Sequence, residues 1–193
     1  MAELSLKPTP GVFRHVAIAL LALQIGCVSI TGQDPSLRTP GVWLDDEVVE
    51  RLASRRIDDA DERLAISHVN VVSYDGIVLL TGQVEDQALR DLAEQSLRDI
   101  RKIRKIHNEI QIGGAISLVA RGNDNWIQTK VKAQLLADEE ADASRIKVVV
   151  EDGVVYLIGV VPRDQADAAV AAARNVFGVQ RVVKVFDYLE HSS

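Results

Sequence analysis

One cysteine, one methionine and an aromatic content of 4% are the scarcities of this 193-residue chain. A lone cysteine, Cys27, cannot close an intrachain disulfide, and without companions it cannot form a cysteine-based zinc or iron–sulfur site. Basic residues are also in deficit: 22 Lys and Arg face 28 Asp and Glu, for a formal net charge of −6. That balance removes the generic electrostatic drive toward nucleic acid, and none is expected as a partner. Long apolar runs are missing too, since the longest near the N-terminus, Val16 to Leu23, is too short to cross a bilayer comfortably. What remains is 47% hydrophobic and 26% charged, an ordinary globular composition with room for one or two domains.

The N-terminal segment has the layout of a secretory signal, with Lys7, Arg14 and His15 ahead of the apolar run and Gln24-Ile25-Gly26-Cys27 behind it. Ending at Gly26-Cys27, it resembles the bacterial lipoprotein signal, although Gln24 stands where that motif usually carries leucine. The resemblance implies cleavage after residue 26 and acylation of Cys27, and Val28 in place of aspartate implies sorting to the outer membrane on its periplasmic side. Several acyl chains, at about 0.8 kcal/mol per buried methylene, would make such an anchor close to permanent. Residues 27–43, with Gly32, Pro35, Pro40 and Gly41 among polar residues, read as a flexible tether.

An internal repeat organises the rest. Val69 to Val84 aligns without a gap on Ile146 to Val161, and each block is two β-branched runs joined by Asp-Gly, at Asp75-Gly76 and Asp152-Gly153. That dipeptide accepts the positive φ angles of a tight hairpin turn, so these four residues, together with Gly82 and Gly159, are assigned structural turn and packing roles. Helical patterns precede the hairpins over Asp46–Ile57 and Asn125–Ala137 and follow them over Asp86–Ile100 and Arg163–Val176. Closing strands are expected over Ile106–Ile112 and Val182–Phe186. The fold class is α+β, an α-β-β-α-β unit repeated in tandem, each with a three-stranded sheet packed on two helices. The expected boundaries are 44–112 and 123–189, with a linker at 113–122 and a tail at 190–193. Units of about 70 residues are marginal alone, so the two are expected to pack on each other through sheet faces or edges that the helices leave bare.

The paired Asp-Gly hairpins, Gly82 and Gly159, and the closing segments Ile103-Arg104-Lys105-Ile106 and Val179-Gln180-Arg181-Val182 resemble the BON domain family, over nearly all of the chain beyond the tether. The first unit departs in having Lys102 where the second has Gly178, so its last turn is expected to differ.

The helix opening the second unit carries the candidate site. On a wheel of about 100° per residue with Ile127 at zero, Val131 and Leu135 fall within about 80° and form a core stripe. Trp126, Ala133 and Leu136 fall near 260°, 240° and 180°, off that stripe, with Lys130 and Lys132 close by. Indole and ammonium groups suit a membrane interface, the ring at headgroup depth and the amines on anionic phosphate. On the residues alone a second reading stands beside it: Trp126 folds back as a core or interdomain residue, with Asp124 as the N-cap. The family resemblance implies the first, binding of anionic, phosphatidylglycerol-like phospholipid through Trp126, Lys130, Lys132, Ala133 and Leu136. The first unit offers no equivalent, because its helix opens on Asp45-Asp46-Glu47 and residues 44–112 hold 15 acidic against 10 basic residues, compared with 10 and 8 over 123–189. A basic group at Arg98, Arg101, Lys102, Arg104 and Lys105 reads as a solvated helix end.

Catalytic patterns are weak. None of His15, His68, His107 and His191 stands in a metal-ligand spacing, and Ser67-His68 lacks a completing acid nearby in sequence. Asp138-Glu139-Glu140-Ala141-Asp142 reads as a solvated loop in preference to a calcium site. No catalytic residue, metal or cofactor is expected. The expected role is an anchored periplasmic lipoprotein that binds lipid and maintains envelope integrity, with the outer-membrane protein assembly machinery as a further partner. The alternative is a periplasmic protein-interaction or stress-induced, chaperone-like module that does not bind lipid.

Overall fold

A computed structural model describes residues 39–114 and 118–189, with side chains from residue 122 onward in the helix that begins at Leu118. The signal, Cys27 and most of the tether lie outside the described residues. In the first unit, helix α1 (Pro40–Ala60) is followed by a short α2 (Glu62–Ile66), strands β1 (His68–Tyr74) and β2 (Ile77–Val84), helix α3 (Gln87–Gln95), and strands β3 (Lys105–Asn108) and β4 (Gln111–Ile112). The second unit has α4 (Leu118–Ala137), a 3-10 turn at Ala143–Arg145, β5 (Ile146–Glu151), β6 (Val154–Val161), α5 (Arg163–Arg174) and β7 (Arg181–Tyr188). In each, the hairpin is antiparallel and the closing strand runs parallel to its second strand: β1-β2-β3 with β4 continuing along β2, and β5-β6-β7. The α+β tandem follows the order that the sequence predicts.

Both hairpin turns place two consecutive residues at positive φ, Asp75 at 50° and Gly76 at 74°, then Asp152 at 49° and Gly153 at 71°. This conformation matches the right-handed twist of the flanking strands, which is why Asp-Gly recurs. Gly82 and Gly159 take the packing part of the assigned roles and not the turn part. They sit inside β2 and β6, where a Cβ would run into the carbonyl oxygens of His68 and Arg145 respectively, so they permit close approach of the hairpin's first strand.

Two helices begin earlier than the sequence pattern places them. Residues 40–43 belong to α1 and not to the tether, because Thr39 accepts a hydrogen bond from the Val42 amide at 3.3 Å and Pro40 occupies the first turn, where its missing N–H costs nothing. Residues 118–122 belong to α4 and not to the linker, the helix running through Gly122. The closing strand of the first unit is split: Ile110 turns into the core, and the Asn108 side chain spans the break, accepting from the Ile110 amide at 3.3 Å and donating to the Arg90 carbonyl at 2.9 Å.

Side-chain alternation along β2 builds two cores at once. Val78, Leu80 and Val84 face α1 and α3, meeting Val49, Ala53, Ile57, Leu89, Ala93 and Leu97. Ile77 and Leu79, with Val72 and Tyr74, face the other way and pack on Val149, Tyr156, Ile158 and Val185 of the second unit. The two sheets therefore meet on the faces left bare by the helices, and β2 is buried along its whole length, with the apolar run Ile77-Val78-Leu79-Leu80 feeding both of its faces. A polar rim surrounds that seam. Lys147 Nζ lies 2.8 Å from Glu50 and donates to the Ser73 carbonyl at 3.3 Å, Arg104 lies 3.3 Å from Asp187, and His68 lies 3.6 Å from Glu151.

Candidate functional site

Helix α4 sends Ile127, Val131 and Leu135 into the second core, where they pack on Val148, Leu157, Ala169 and Phe186. Because these positions fix the rotation of the helix, the opposite side must face out. Trp126 is 46% exposed and Leu136 77% exposed, with Lys130, Lys132 and Ala133 exposed between them. All five predicted lipid-facing residues thus share the outer side of one helix. Trp126 and Leu136 stand ten residues apart, about 15 Å along the axis.

Local geometry gives each residue a setting. Lys130 Nζ sits 5.6 Å from the Trp126 ring centroid, within cation–π range. Lys132 and Leu136 border an apolar groove of about 220 Å³ completed by Leu135, Ala143, Ile146 and Val148. Lys132 also edges a larger cleft of about 430 Å³ between the units, lined by Asn125, Gln128, Lys147, His68 and Asn70 together with valines of β1 and β5. Neither Lys130 nor Lys132 has a carboxylate partner among the described residues, so both charges are available to an external anion.

Asp124 is not the N-cap. It lies within α4, buried, and its carboxylate accepts from the amides of Asp152 at 2.8 Å and Gly153 at 2.8 Å, clamping the hairpin turn to the helix. Asp46 does the same in the first unit, accepting from the Ser73 hydroxyl at 2.7 Å and from the amides of Asp75 at 2.8 Å and Gly76 at 3.1 Å. Sequence reasoning missed this repeated clamp, whose one signal is an aspartate at nearly the same distance before each Asp-Gly turn, Asp46 29 residues ahead of Asp75 and Asp124 28 ahead of Asp152.

Two apolar features also went unread. Phe177, between α5 and β7, is 87% exposed. On α1, Trp43, Leu44, Val48 and Leu52 are exposed at 51%, 56%, 48% and 38%. The expectation that the first unit has nothing comparable is corrected, because a helix that starts at Pro40 brings Trp43 onto its surface. Its companions differ in sign, however: Asp45 and Glu47 flank this stripe, and Lys102, the nearby cation, is paired with Asp45. Most of the remaining basic group is likewise engaged, Arg98 with Glu94 at 3.4 Å, Arg104 with Asp75 at 2.8 Å, and Lys105 with Asp187 at 3.9 Å, whereas Arg101 has no carboxylate partner among the described residues.

The other candidates have ordinary partners. Ser67 donates its hydroxyl to the Arg63 carbonyl at 2.6 Å and is not aligned on His68. Asp138 caps the amides of Glu140 and Ala141, while Asp142 pairs with Arg145 at 2.8 Å; no group of metal-ligating side chains gathers among the described residues. His107 is half-buried, its Nε2 without a hydrogen-bond partner, and burial followed by the nearby Lys105 charge pulls its pKa below the ordinary histidine value against opposing Glu109 and Asp187. Burial pushes the Tyr156 phenol up to about 12. Both groups belong to the central sheets, away from the outer side of α4. None of the helices among the described residues is long and apolar enough to cross a membrane.

The family model for the BON domain matches residues 45–114 and again residues 123–190. The chain belongs to the BON domain family. Among curated relatives of this tandem BON chain, the outer membrane lipoprotein DolP of Haemophilus influenzae is 35% identical over 153 residues, 79% of each chain. The 21 kDa hemolysin of Actinobacillus pleuropneumoniae is 37% identical over 153 residues, again 79% of each. The osmotically inducible protein Y of Escherichia coli is 28% identical over 152 residues, covering 77% of this chain and 75% of the relative.

Proposed function

We propose that this chain is an outer-membrane lipoprotein, anchored on the periplasmic side through acylated Cys27, whose second BON unit docks on anionic phospholipid through α4 and so supports envelope integrity. The observation that carries the lipid reading is the outer side of α4: an exposed indole, an exposed leucine and two lysines without carboxylate partners on one rigid surface. Such a surface combines apolar burial with attraction to anionic headgroups, each of which is modest alone. The similarity to a relative named an outer membrane lipoprotein supports the anchor, as does the position of Cys27 after a signal-like segment. An anchor raises the effective concentration of the helix at the bilayer, so weak headgroup contacts suffice to choose where an already tethered protein resides.

The stripe of Trp43, Leu44, Val48 and Leu52 favours a second, compatible role. With carboxylates at its flank it suits a protein partner, such as the outer-membrane protein assembly machinery, better than an anionic bilayer. Two experiments test the main reading. Membrane fractionation of the wild type and Cys27→Ala tests the anchor: retention of the wild type alone in the outer membrane supports it, and finding both in the soluble periplasm overturns it. Co-sedimentation of the Cys27→Ala chain with phosphatidylglycerol-containing and pure phosphatidylcholine vesicles tests the docking. Selective binding that Leu136→Glu weakens at least tenfold is expected, and equal behaviour of both chains contradicts it.

A further inference from the structure

Phe177 is the most exposed large apolar side chain among the described residues, yet it is held in place and does not lie in a free loop. Its neighbours Val176 and Val179 pack against the second core, the Val179 amide donates to the Val176 carbonyl at 3.3 Å, and the Gln180 amide donates to the Gly153 carbonyl at 2.9 Å. Gly178, at φ 94°, lets the turn settle on α4: a Cβ there would stand 3.2 Å from the Ile127 side chain and 3.8 Å from Trp126 Cζ3. The indole of Trp126 therefore lies against the turn that presents Phe177.

The first unit shows that this is not a requirement of the fold. Arg101 and Lys102 occupy the places of Phe177 and Gly178, with Ile103 packed inward as Val179 is. Lys102 is not at positive φ, so the turn is also built differently. An outward phenylalanine on a glycine-seated turn thus occurs in the unit that carries Trp126, and there it is accompanied by cations. Arg174 ends α5 just before it and Lys130 lies over the indole; neither is paired with a carboxylate among the described residues.

We propose that the Phe177-Gly178 turn is a second membrane-inserting element, in which Phe177 enters the acyl region of an anionic bilayer beside Trp126. This inference rests on the reading of α4 as the lipid-docking helix and adds to it a residue on a different element. Trp126, Phe177 and Leu136 are three apolar points that do not share one line, since two lie along the helix and the third stands off its flank. Three such points define a plane, so the second unit meets the membrane in one fixed orientation instead of rolling about α4. A bilayer is favoured as occupant because Lys130, Lys132 and Arg174 surround these points with positive charge, complementary to anionic headgroups.

The test uses the full chain with Cys27→Ala and Trp43→Phe, and vesicles of phosphatidylglycerol and phosphatidylcholine whose acyl chains carry bromine. Phe177→Ser should weaken vesicle partitioning about tenfold or more, the expected effect of withdrawing a buried phenylalanine. It should leave thermal unfolding unchanged, since the side chain is almost fully exposed. A second variant combines Phe177→Trp with Trp126→Phe, making position 177 the sole reporter; its emission should be quenched by the brominated chains. Equal partitioning of parent and Phe177→Ser, or a reporter at 177 that stays unquenched while the parent's Trp126 is quenched, overturns this proposal and leaves the α4 reading standing. A parent chain that fails to bind the vesicles overturns both.

Discussion

Replacing Asp124 with alanine removes a clamp whose strength can be worked from its partners. Its carboxylate receives two backbone hydrogen bonds, each at 2.8 Å, from Asp152 and Gly153. Hydrogen bonds to a charged group contribute about 1.5–3 kcal/mol each. Gly153 is buried, so its amide is stranded in the variant, whereas Asp152 is exposed and water replaces part of its bond. One bond near full value and one near half gives about 3 kcal/mol, from which the better helix propensity of alanine recovers about 0.5 kcal/mol. Asp46→Ala should cost more, about 4 kcal/mol, because it loses three bonds, including one to the fully buried Ser73 hydroxyl. Asp124→Asn keeps one oxygen acceptor and should fall between wild type and Asp124→Ala. Urea unfolding followed by far-UV circular dichroism reads these differences as shifts of midpoint at similar slope. A cost below about 0.5 kcal/mol for Asp124→Ala would refute the clamp as a determinant of stability.

Other perturbations test other links. Gly159→Ala sets a methyl group against the Arg145 carbonyl and should destabilise the second unit by about 1–3 kcal/mol, read as a lower unfolding midpoint. Ile158→Ala opens a cavity in the seam between the two sheets and should cost about 2–5 kcal/mol; a thermal scan should also separate the melting of the two units. For His107, whose folded pKa is depressed chiefly by burial, the unfolded chain takes up the proton first as pH falls. Stability is therefore unaffected by this group above its ordinary value of 6.5, declines below it, and levels off under the folded pKa. His107→Gln should flatten that part of a melting-temperature profile between pH 7.5 and 5, and an unchanged slope would show that the group does not contribute.

The parts of the fold legible in sequence were those set by local chemistry. Asp-Gly fixed both hairpins because few other pairs reach two consecutive positive φ values, and the small size of each unit implied that the two pack on each other where the helices leave the sheets bare. The start of α1 was misread because Pro40 and Gly41 are linker residues by composition, yet with Thr39 before them they make a helix start. The clamp by Asp124 was invisible because it joins a helix to a turn far along the chain, and in sequence an aspartate before a helical pattern resembles a cap. Phe177 escaped because a single residue in a turn has no periodicity, and only its packing context shows that it points away from the core. The outer side of α4 was legible because the positions of Ile127, Val131 and Leu135 dictate the rotation of the helix, and every other side chain follows.

The most direct test of lipid docking by α4 is the emission of Trp126 itself. In a full chain with Cys27→Ala and Trp43→Phe, Trp126 is the sole tryptophan. Titration with phosphatidylglycerol vesicles should shift its emission to the blue as the half-exposed ring leaves water, the shift should shrink as salt screens Lys130 and Lys132, and phosphatidylcholine alone should produce little change. An emission spectrum that stays the same at saturating phosphatidylglycerol would contradict the account.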